Sequence, residues 1–116
     1  MNTFQELGGK VRQFAEARDW AQFHSPKNLS MALSVECAEL MEHFQWLTES
    51  QSRKLGSKKL SEVEKELADV QIYLIRLSQV LGIDLVSASR KKLVDNARKY
   101  PIRKARGSAK KYTELR

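Results

Sequence analysis

Apolar residues recur at helical spacing along most of the chain, and this pattern predicts four long helices. Phe4, Leu7 and Val11 mark the apolar face of the first helix, and Val63 and Leu77 belong to the stripe of the third. No segment shows the alternation of apolar and polar residues that is typical of a strand. The sequence therefore predicts an all-α, four-helix bundle-like fold, with helices over residues 3–18, 26–47, 61–81 and 85–100.

Local capping signals set these predicted boundaries. Thr3-x-x-Glu6 and Ser61-x-x-Glu64 have the form of capping boxes, in which a hydroxyl and a carboxylate satisfy free backbone amides. Ser25-Pro26 predicts an N-cap followed by a proline in the first turn, where a missing N–H does no harm. Gly82 is predicted to end the third helix, and Asp84 to cap the fourth.

Two segments lack periodic apolar positions. Residues 48–60 are predicted to be a polar linker between the second and third helices. Residues 102–116 are basic, and we expect an extended arm that packs on a neighbour or is ordered in part by a ligand. Because the chain has only 116 residues, we predict one domain over residues 1–116 that ends in this arm.

Two pairs of acids interrupt the apolar faces of the second and third predicted helices. Glu36-x-x-Glu39 lies in one and Glu66-x-x-Asp69 in the other, and three-residue spacing puts each pair on one helical face. Such pairs are either solvated or share a cation, since converging acids repel one another. Helices joined by a short loop are antiparallel neighbours, so all four acids can meet. One or two Mg²⁺ ions would suit an all-oxygen site, and a cation there could acidify a water that attacks phosphorus.

Basic and aromatic residues supply the other candidate contacts. The fourth predicted helix carries polar groups at helical spacing that could meet phosphates, or form a solvated basic face: Lys92, Asn96, Lys99 and the adjoining Tyr100. Four rings near the acids could stack on a base, or pack as ordinary core: Trp20, His24, Trp46 and Tyr73.

Charge is distributed unevenly along the chain. The 21 Lys and Arg outnumber the 14 Asp and Glu, which gives a net charge of +7. Residues 1–89 hold ten basic and twelve acidic residues, a net −2, whereas residues 90–116 hold eleven and two, a net +9. A basic end of this kind favours a polyanionic partner, either a nucleic acid or the phosphates of a nucleotide.

The composition excludes some classes of protein. No apolar run approaches the roughly 20 residues that cross a membrane, and the N-terminal residues lack the apolar segment of a signal peptide. We therefore expect a cytoplasmic protein without a membrane partner. Cys37 is the one cysteine, so it cannot form an internal disulfide, and its position between the acids indicates a small core residue.

The acid pairs also resemble the signature of a known family. Glu36-x-x-Glu39, a spacer of 26 residues, and Glu66-x-x-Asp69 are similar to the motif of the MazG-like all-α NTP pyrophosphohydrolases. Flanking segments resemble the dCTP pyrophosphatase branch of that family: Arg18-Asp19-Trp20, Phe23-His24, Pro26–Leu29, Phe44-Gln45-Trp46, Asp69–Leu74, Lys99-Tyr100-Pro101 and Lys111–Leu115. One departure is Val11, where we expect a histidine near the base in vertebrate members.

The resemblance implies a function and a role for each candidate residue. Such proteins are small helical bundles that assemble as homodimers or homotetramers, and they cleave a nucleoside triphosphate between its α- and β-phosphates. By this resemblance the four acids, Glu36, Glu39, Glu66 and Asp69, hold Mg²⁺ and are the catalytic residues. Trp20, His24, Trp46 and Tyr73 form the base and sugar pocket, and Lys92, Asn96, Lys99 and Tyr100 meet the phosphates. The expected substrate is a deoxynucleotide, with dCTP or a modified dCTP first, and the expected purpose is housekeeping of the nucleotide pool.

Two other interpretations stay open from the sequence. A non-enzymatic helical module could bind nucleic acid through residues 90–116, but this leaves the four acids unexplained, because acids without a metal repel phosphate. A dUTPase-like all-α pyrophosphatase differs from the favoured interpretation only in its substrates. We favour the enzyme, and so we expect a nucleotide rather than a nucleic acid as the partner.

Overall fold

A computed structural model describes residues 3–115 of the chain, and every regular element in that range is helical. The all-α prediction is therefore confirmed. Short 3₁₀ turns occur at Trp20–Phe23 and Tyr112–Glu114. The α-helices are α1 (Thr3–Ala17), α2 (Pro26–Glu42), α3 (Glu49–Ser52), α4 (Ser57–Val80), α5 (Leu85–Lys99) and α6 (Ile102–Ala105).

The chain divides into two compact units, of which the first ends at Gly82 and the second begins at Ile83. In the first unit α4 packs against both α2 and α1. The side chains buried in this unit are few, and all are small or aliphatic apart from one arginine: Val11, Ala15, Leu29, Val63, Ile75 and Arg76. The prediction of one domain over residues 1–116 stays a prediction.

Three contacts establish that α2 and α4 run antiparallel. His24, just before α2, meets Arg76 near the end of α4, with 3.0 Å between the nitrogens. Carboxylates of Glu36 and Glu66 meet in the middle of the two helices. His43, just after α2, lies 3.8 Å from Glu62 near the start of α4. This arrangement confirms the predicted antiparallel packing of the two helices that carry the acid pairs.

Several predicted helix ends are confirmed because a local interaction fixes them. The Ser25 side chain accepts a hydrogen bond from the Asn28 amide, and Pro26 opens α2. Asp84 caps α5 in the same way through the Ser87 amide at 3.0 Å. Gly82 follows the end of α4 with φ +69°, the left-handed conformation that glycine adopts without strain.

Two predicted boundaries are wrong. Helix α4 begins at Ser57 rather than at Ser61, and Gly56 is its N-cap. Glycine is tolerated at the N-cap without a side-chain hydrogen bond, and the residues that follow favour a helix. Helix α2 ends at Glu42 rather than at Trp46 or Leu47. Beyond Glu42 the chain tightens into turns, with the Phe44 amide bonded to the Met41 carbonyl at 2.9 Å.

The polar linker also contains a helical turn that was not predicted. Thr48 and Gln51 form a capping box at the start of α3, in which each side chain bonds the other residue's backbone amide. This reciprocal pair explains why four polar residues can hold a helical turn with no apolar face to bury.

In the second unit, the segment after α5 folds back locally instead of extending throughout. The Tyr112 ring packs edge-on against Tyr100 with 6.0 Å between ring centres, and Lys99 Nζ lies 5.0 Å from the Tyr112 ring centre. The extended arm predicted for residues 102–116 is thus interrupted by α6 and by the turn at Tyr112–Glu114. Between residues 3 and 115, no single helix is both long enough and apolar enough to span a membrane.

Candidate metal and nucleotide site

Three of the four predicted acids converge between α2 and α4. Glu36 and Glu39 extend from one face of α2, since residues three apart lie side by side on a helix. Glu66 faces them from α4, and one carboxylate oxygen of each of the three residues lies within 4.8 Å of the others. We call Glu36, Glu39 and Glu66 the acid cluster.

Burial and mutual repulsion make the acid cluster unfavourable when it is fully ionised. One carboxylate oxygen of Glu36 and one of Glu66 are shielded from solvent and have no hydrogen-bond donor. Burial, followed by the closeness of Glu66 and Glu39, raises the pKa of Glu36 to about 7. Burial is also the main cause that raises the pKa of Glu66, and the charges of Glu39 and Asp69 add to it. Without a cation, the acid cluster therefore keeps a proton at pH values between 4.5 and about 7, where an isolated glutamate would release it.

The donor set of the acid cluster fits a hard divalent cation. All of its ligand atoms are carboxylate oxygens, which ionised glutamates can offer only as acceptors. A cation would supply the two buried, unpartnered oxygens with a partner and would offset the repulsion among the three carboxylates. Asp69 is exposed and lies outside this 4.8 Å group, although its charge acts on Glu66. The structure thus brings together three of the four predicted ligands.

Two of the four predicted pocket aromatics form a connected group at the entrance to α2. The Trp20 ring lies edge-on to His24 with 6.1 Å between ring centres, and edge-on to Phe14 of α1 at 5.6 Å. The Arg18 guanidinium stacks over the Phe14 ring, with its central carbon 3.7 Å from the ring centre. Asp19 adopts the left-handed conformation at φ 53°, which turns the chain sharply between α1 and Trp20.

The other two predicted pocket aromatics stand apart from that group. Trp46 is 87% exposed and makes no ring contact with any other described residue. Tyr73 is half-buried on α4, one helical turn beyond Asp69. Their part in a base pocket stays a prediction.

Sequence reasoning missed Arg76, which the structure places against His24. Arg76 is only 8% exposed, and its Nε donates to His24 Nδ1 at 3.0 Å. Burial, and then the Arg76 charge, lower the pKa of His24 below its ordinary value. The sequence did carry a signal, because Arg76 is the one charged residue between Asp69 and Asp84.

The predicted phosphate contacts all lie in the second unit. Lys92 and Lys99 are exposed on α5, Asn96 is half-buried there, and Tyr100 follows the helix as its C-cap. Their meeting with the phosphates of a nucleotide stays a prediction.

His43, which follows α2, and Cys37, which lies on it, add no ligand to the acid cluster. His43 Nδ1 lies 3.3 Å from Lys59 Nζ and 3.8 Å from Glu62, which ties the end of α2 to the start of α4. Cys37 is exposed, so its prediction as a small core residue is wrong. Its place between two inward-facing acids puts its own side chain on the outer part of the helix.

Most of the chain is similar to known proteins. Residues 31–115 match the MazG-like family. The chain is 41% identical to dCTP pyrophosphatase 1 of Homo sapiens and 41% identical to that of Mus musculus, and each alignment covers 97% of this chain and 68% of the relative. Among solved structures, a pyrophosphatase from Archaeoglobus fulgidus DSM 4304 superposes with a TM-score of 0.82 and 39% identity, covering 87% of this chain and 94% of that one.

Proposed function

The chain belongs to the MazG-like family, and from this premise we propose that it hydrolyses dCTP, or a modified dCTP, to the monophosphate and pyrophosphate with Mg²⁺. The convergence of Glu36, Glu39 and Glu66 to within 4.8 Å carries the proposal. The names of its relatives, dCTP pyrophosphatase 1 in two mammals, indicate the substrate. The family match and the names of these relatives support the nucleoside triphosphate diphosphatase activity predicted from the sequence, and the fold is all-α as predicted.

The acid cluster would hold the Mg²⁺, with Asp69 as a further ligand at its edge. A bound divalent cation supplies positive charge for the phosphates and makes water acidic enough to attack phosphorus near neutral pH. A carboxylate oxygen of the cluster that is free of the cation would accept the proton of the attacking water. The same carboxylates keep the triphosphate from binding when the cation is absent, because like charges repel.

The aromatic group would receive the nucleoside. Trp20 and His24 present ring faces and edges at the start of α2, and both lie on the unit that carries the acid cluster. Trp46 and Tyr73 are proposed as further pocket residues. Lys92, Asn96, Lys99 and Tyr100 would neutralise or bond the phosphates, from the same subunit or from another.

We propose that the active form is a homodimer or homotetramer. Four leucines recur every seven residues along α4 and its C-cap, and all four are exposed: Leu60 at 55%, Leu67 at 53%, Leu74 at 39% and Leu81 at 50%. A seven-residue apolar repeat is the pattern by which helices pair with other helices. A second copy of the chain would cover this leucine stripe and enlarge a core that has few buried side chains. The cytoplasmic location and the role in pool housekeeping stay predictions.

The decisive experiment measures pyrophosphate release from a panel of NTPs and dNTPs, with Mg²⁺ and with EDTA. We expect release that depends on Mg²⁺ and is strongest with dCTP or a modified dCTP. Glu39→Gln should lower the rate by at least about 100-fold while leaving the fold intact, because one anionic ligand is lost. Glu64→Gln is the matched control, since Glu64 is exposed on α4 and lies outside the acid cluster.

Each outcome has a distinct meaning. Release that survives EDTA, or full activity of Glu39→Gln, would contradict the metal site. Metal-dependent release that is strongest with dUTP would replace the proposed substrate and keep the site. No release from any nucleotide would leave the family resemblance as one of fold.

A further inference from the structure

Arg76 is a buried cation without a carboxylate partner. Its side chain is 8% exposed, and none of the ion pairs found among residues 3–115 involves it. Both of its side-chain partners are neutral: Nε donates to His24 Nδ1 at 3.0 Å, and Nη1 donates to Gln79 Oε1 at 3.2 Å. Burying a guanidinium without a counter-ion costs stability, so packing alone does not account for its presence.

The contact with Arg76 fixes the protonation pattern of His24. A guanidinium can only donate hydrogen bonds, so the nitrogen that accepts its hydrogen bond must offer a lone pair. His24 Nδ1 is therefore unprotonated, and the single ring proton lies on Nε2. A doubly protonated ring is excluded for the same reason, because both of its nitrogens would be donors.

We propose that Arg76 is a positioning residue that holds His24 as a hydrogen-bond donor, through Nε2–H, for the bound nucleotide. In this arrangement His24 can bond only an acceptor, such as a carbonyl or ring nitrogen of the base or an oxygen of the sugar. The ring is also fixed in direction, since one end of it is held by the guanidinium. This inference rests on the proposed function in one respect, the place of His24 in the nucleotide pocket.

A second contact steadies Arg76 itself. Gln79 uses its carbonyl oxygen to accept from Arg76, and its amide Nε2 donates to the Gly8 carbonyl of α1 at 2.7 Å. Arg76 and Gln79 lie three residues apart on α4, so both extend from one face. The chain of bonds from α1 through Gln79 and Arg76 to His24 therefore lies within the first unit.

The test begins with the ring nitrogens of His24, which need no nucleotide. A two-bond proton–nitrogen NMR spectrum separates protonated from unprotonated ring nitrogens, and the chain has only two histidines. We expect wild-type His24 at neutral pH to show an unprotonated Nδ1 and a protonated Nε2. Arg76→Met should mix the two tautomers, because methionine keeps the volume and removes the donor. Arg76→Gln is the second variant, since its amide can accept as well as donate and no longer dictates the tautomer.

Kinetics then test whether the tautomer matters for the nucleotide. Arg76→Met should raise KM for dCTP by about tenfold and change kcat by less than about twofold, because it removes a binding contact rather than a catalytic one. His24→Ala should have a similar effect, and the double variant should add little to it. Arg12→Met is the matched control, because Arg12 is exposed on α1 and outside these contacts. It should leave both the spectrum and KM unchanged.

Each remaining result overturns the inference at an identifiable step. A protonated Nδ1 in the wild type, or an unchanged tautomer in both Arg76 variants, would show that Arg76 does not set the state of His24. If the Arg76 variants change the tautomer but only His24→Ala raises KM, then His24 binds the nucleotide without help from Arg76. A changed tautomer with KM unchanged in every variant would remove His24 from the nucleotide pocket, and that failure would lie in the proposed function.

Discussion

At the scale of single residues, the carboxyl group of Glu36 links the chemistry of the site to the stability of the fold. Its pKa lies at about 7 in the folded chain because it is buried beside Glu66 and Glu39. An ordinary glutamate, as in the unfolded chain, has a model value of 4.5. The folded chain therefore binds this proton more tightly than the unfolded chain does. Its contribution to stability is complete below about pH 4.5 and is lost as the pH rises through about 7.

We predict that the metal-free protein becomes less stable between pH 5 and pH 8 through this group. Thermal unfolding in EDTA should show a midpoint that falls over this range, whereas Glu36→Gln should show a flatter dependence because it cannot ionise. Mg²⁺ at pH 8 should raise the midpoint of the wild type, since a ligand that binds only the folded chain stabilises it. An equal pH slope in the wild type and in Glu36→Gln would contradict the prediction.

At the scale of helices, the sequence predicted the features that depend on a few neighbouring residues. The caps at Ser25 and Asp84 each consist of one hydrogen bond between residues three positions apart, and both lie where the sequence predicted them. The end of α2 carries no glycine or proline, and Gly56 caps α4 without a side-chain bond, so these boundaries gave no local signal. The existence of the four long helices was therefore predictable, whereas two of their ends and the short helices α3 and α6 were not.

The candidate site likewise contains features that the sequence predicted and features that it did not. The acid pairs were predictable because three-residue spacing within one helix fixes which face they share. The contact between Arg76 and His24 was not predicted, because it joins residues 52 positions apart and depends on how α4 packs on the start of α2. The exposure of Leu67 and Leu74 could not be predicted either, since periodicity alone does not distinguish a stripe that faces the core from one that faces another subunit.

Two glycines in or beside the helices should respond to alanine in opposite ways. Gly9 lies inside α1 with open space around an added Cβ, so Gly9→Ala should stabilise the fold by about 0.5–1 kcal/mol. Gly82 has φ +69°, which strains any residue with a Cβ, so Gly82→Ala should destabilise it by about 1 kcal/mol or more. Chemical denaturation of both variants checks the signs, and a stabilised Gly82→Ala would contradict the left-handed turn after α4.

At the scale of the whole molecule, the surface combines uneven charge with a large share of exposed apolar side chains. Residues 90–116 carry eleven basic and two acidic residues, a net +9. The leucine stripe of α4 and the exposed Trp46 leave apolar area in water that a monomer of this size would normally cover. Both features are consistent with a chain that completes its surface with another copy and binds an anionic substrate.

We predict that Leu74→Lys weakens self-association. A charge in the leucine stripe would be buried without a partner, which should raise the dissociation constant by at least about tenfold. Sedimentation at several protein concentrations measures the change in mass. Gln13→Lys is the control, because it adds the same charge at an exposed position of α1 away from the stripe. A wild-type protein that sediments as a monomer at all concentrations would contradict the proposed assembly.

The exposed Cys37 makes the protein ready for spectroscopic labelling without engineering. It is the chain's one thiol, and it lies on α2 between two residues of the acid cluster. A nitroxide attached there would place one spin in each subunit, and the number of interacting spins detected by pulsed electron resonance would count the subunits. Paramagnetic Mn²⁺ in place of Mg²⁺ would broaden the same label's spectrum, so one reagent would report on both assembly and metal binding.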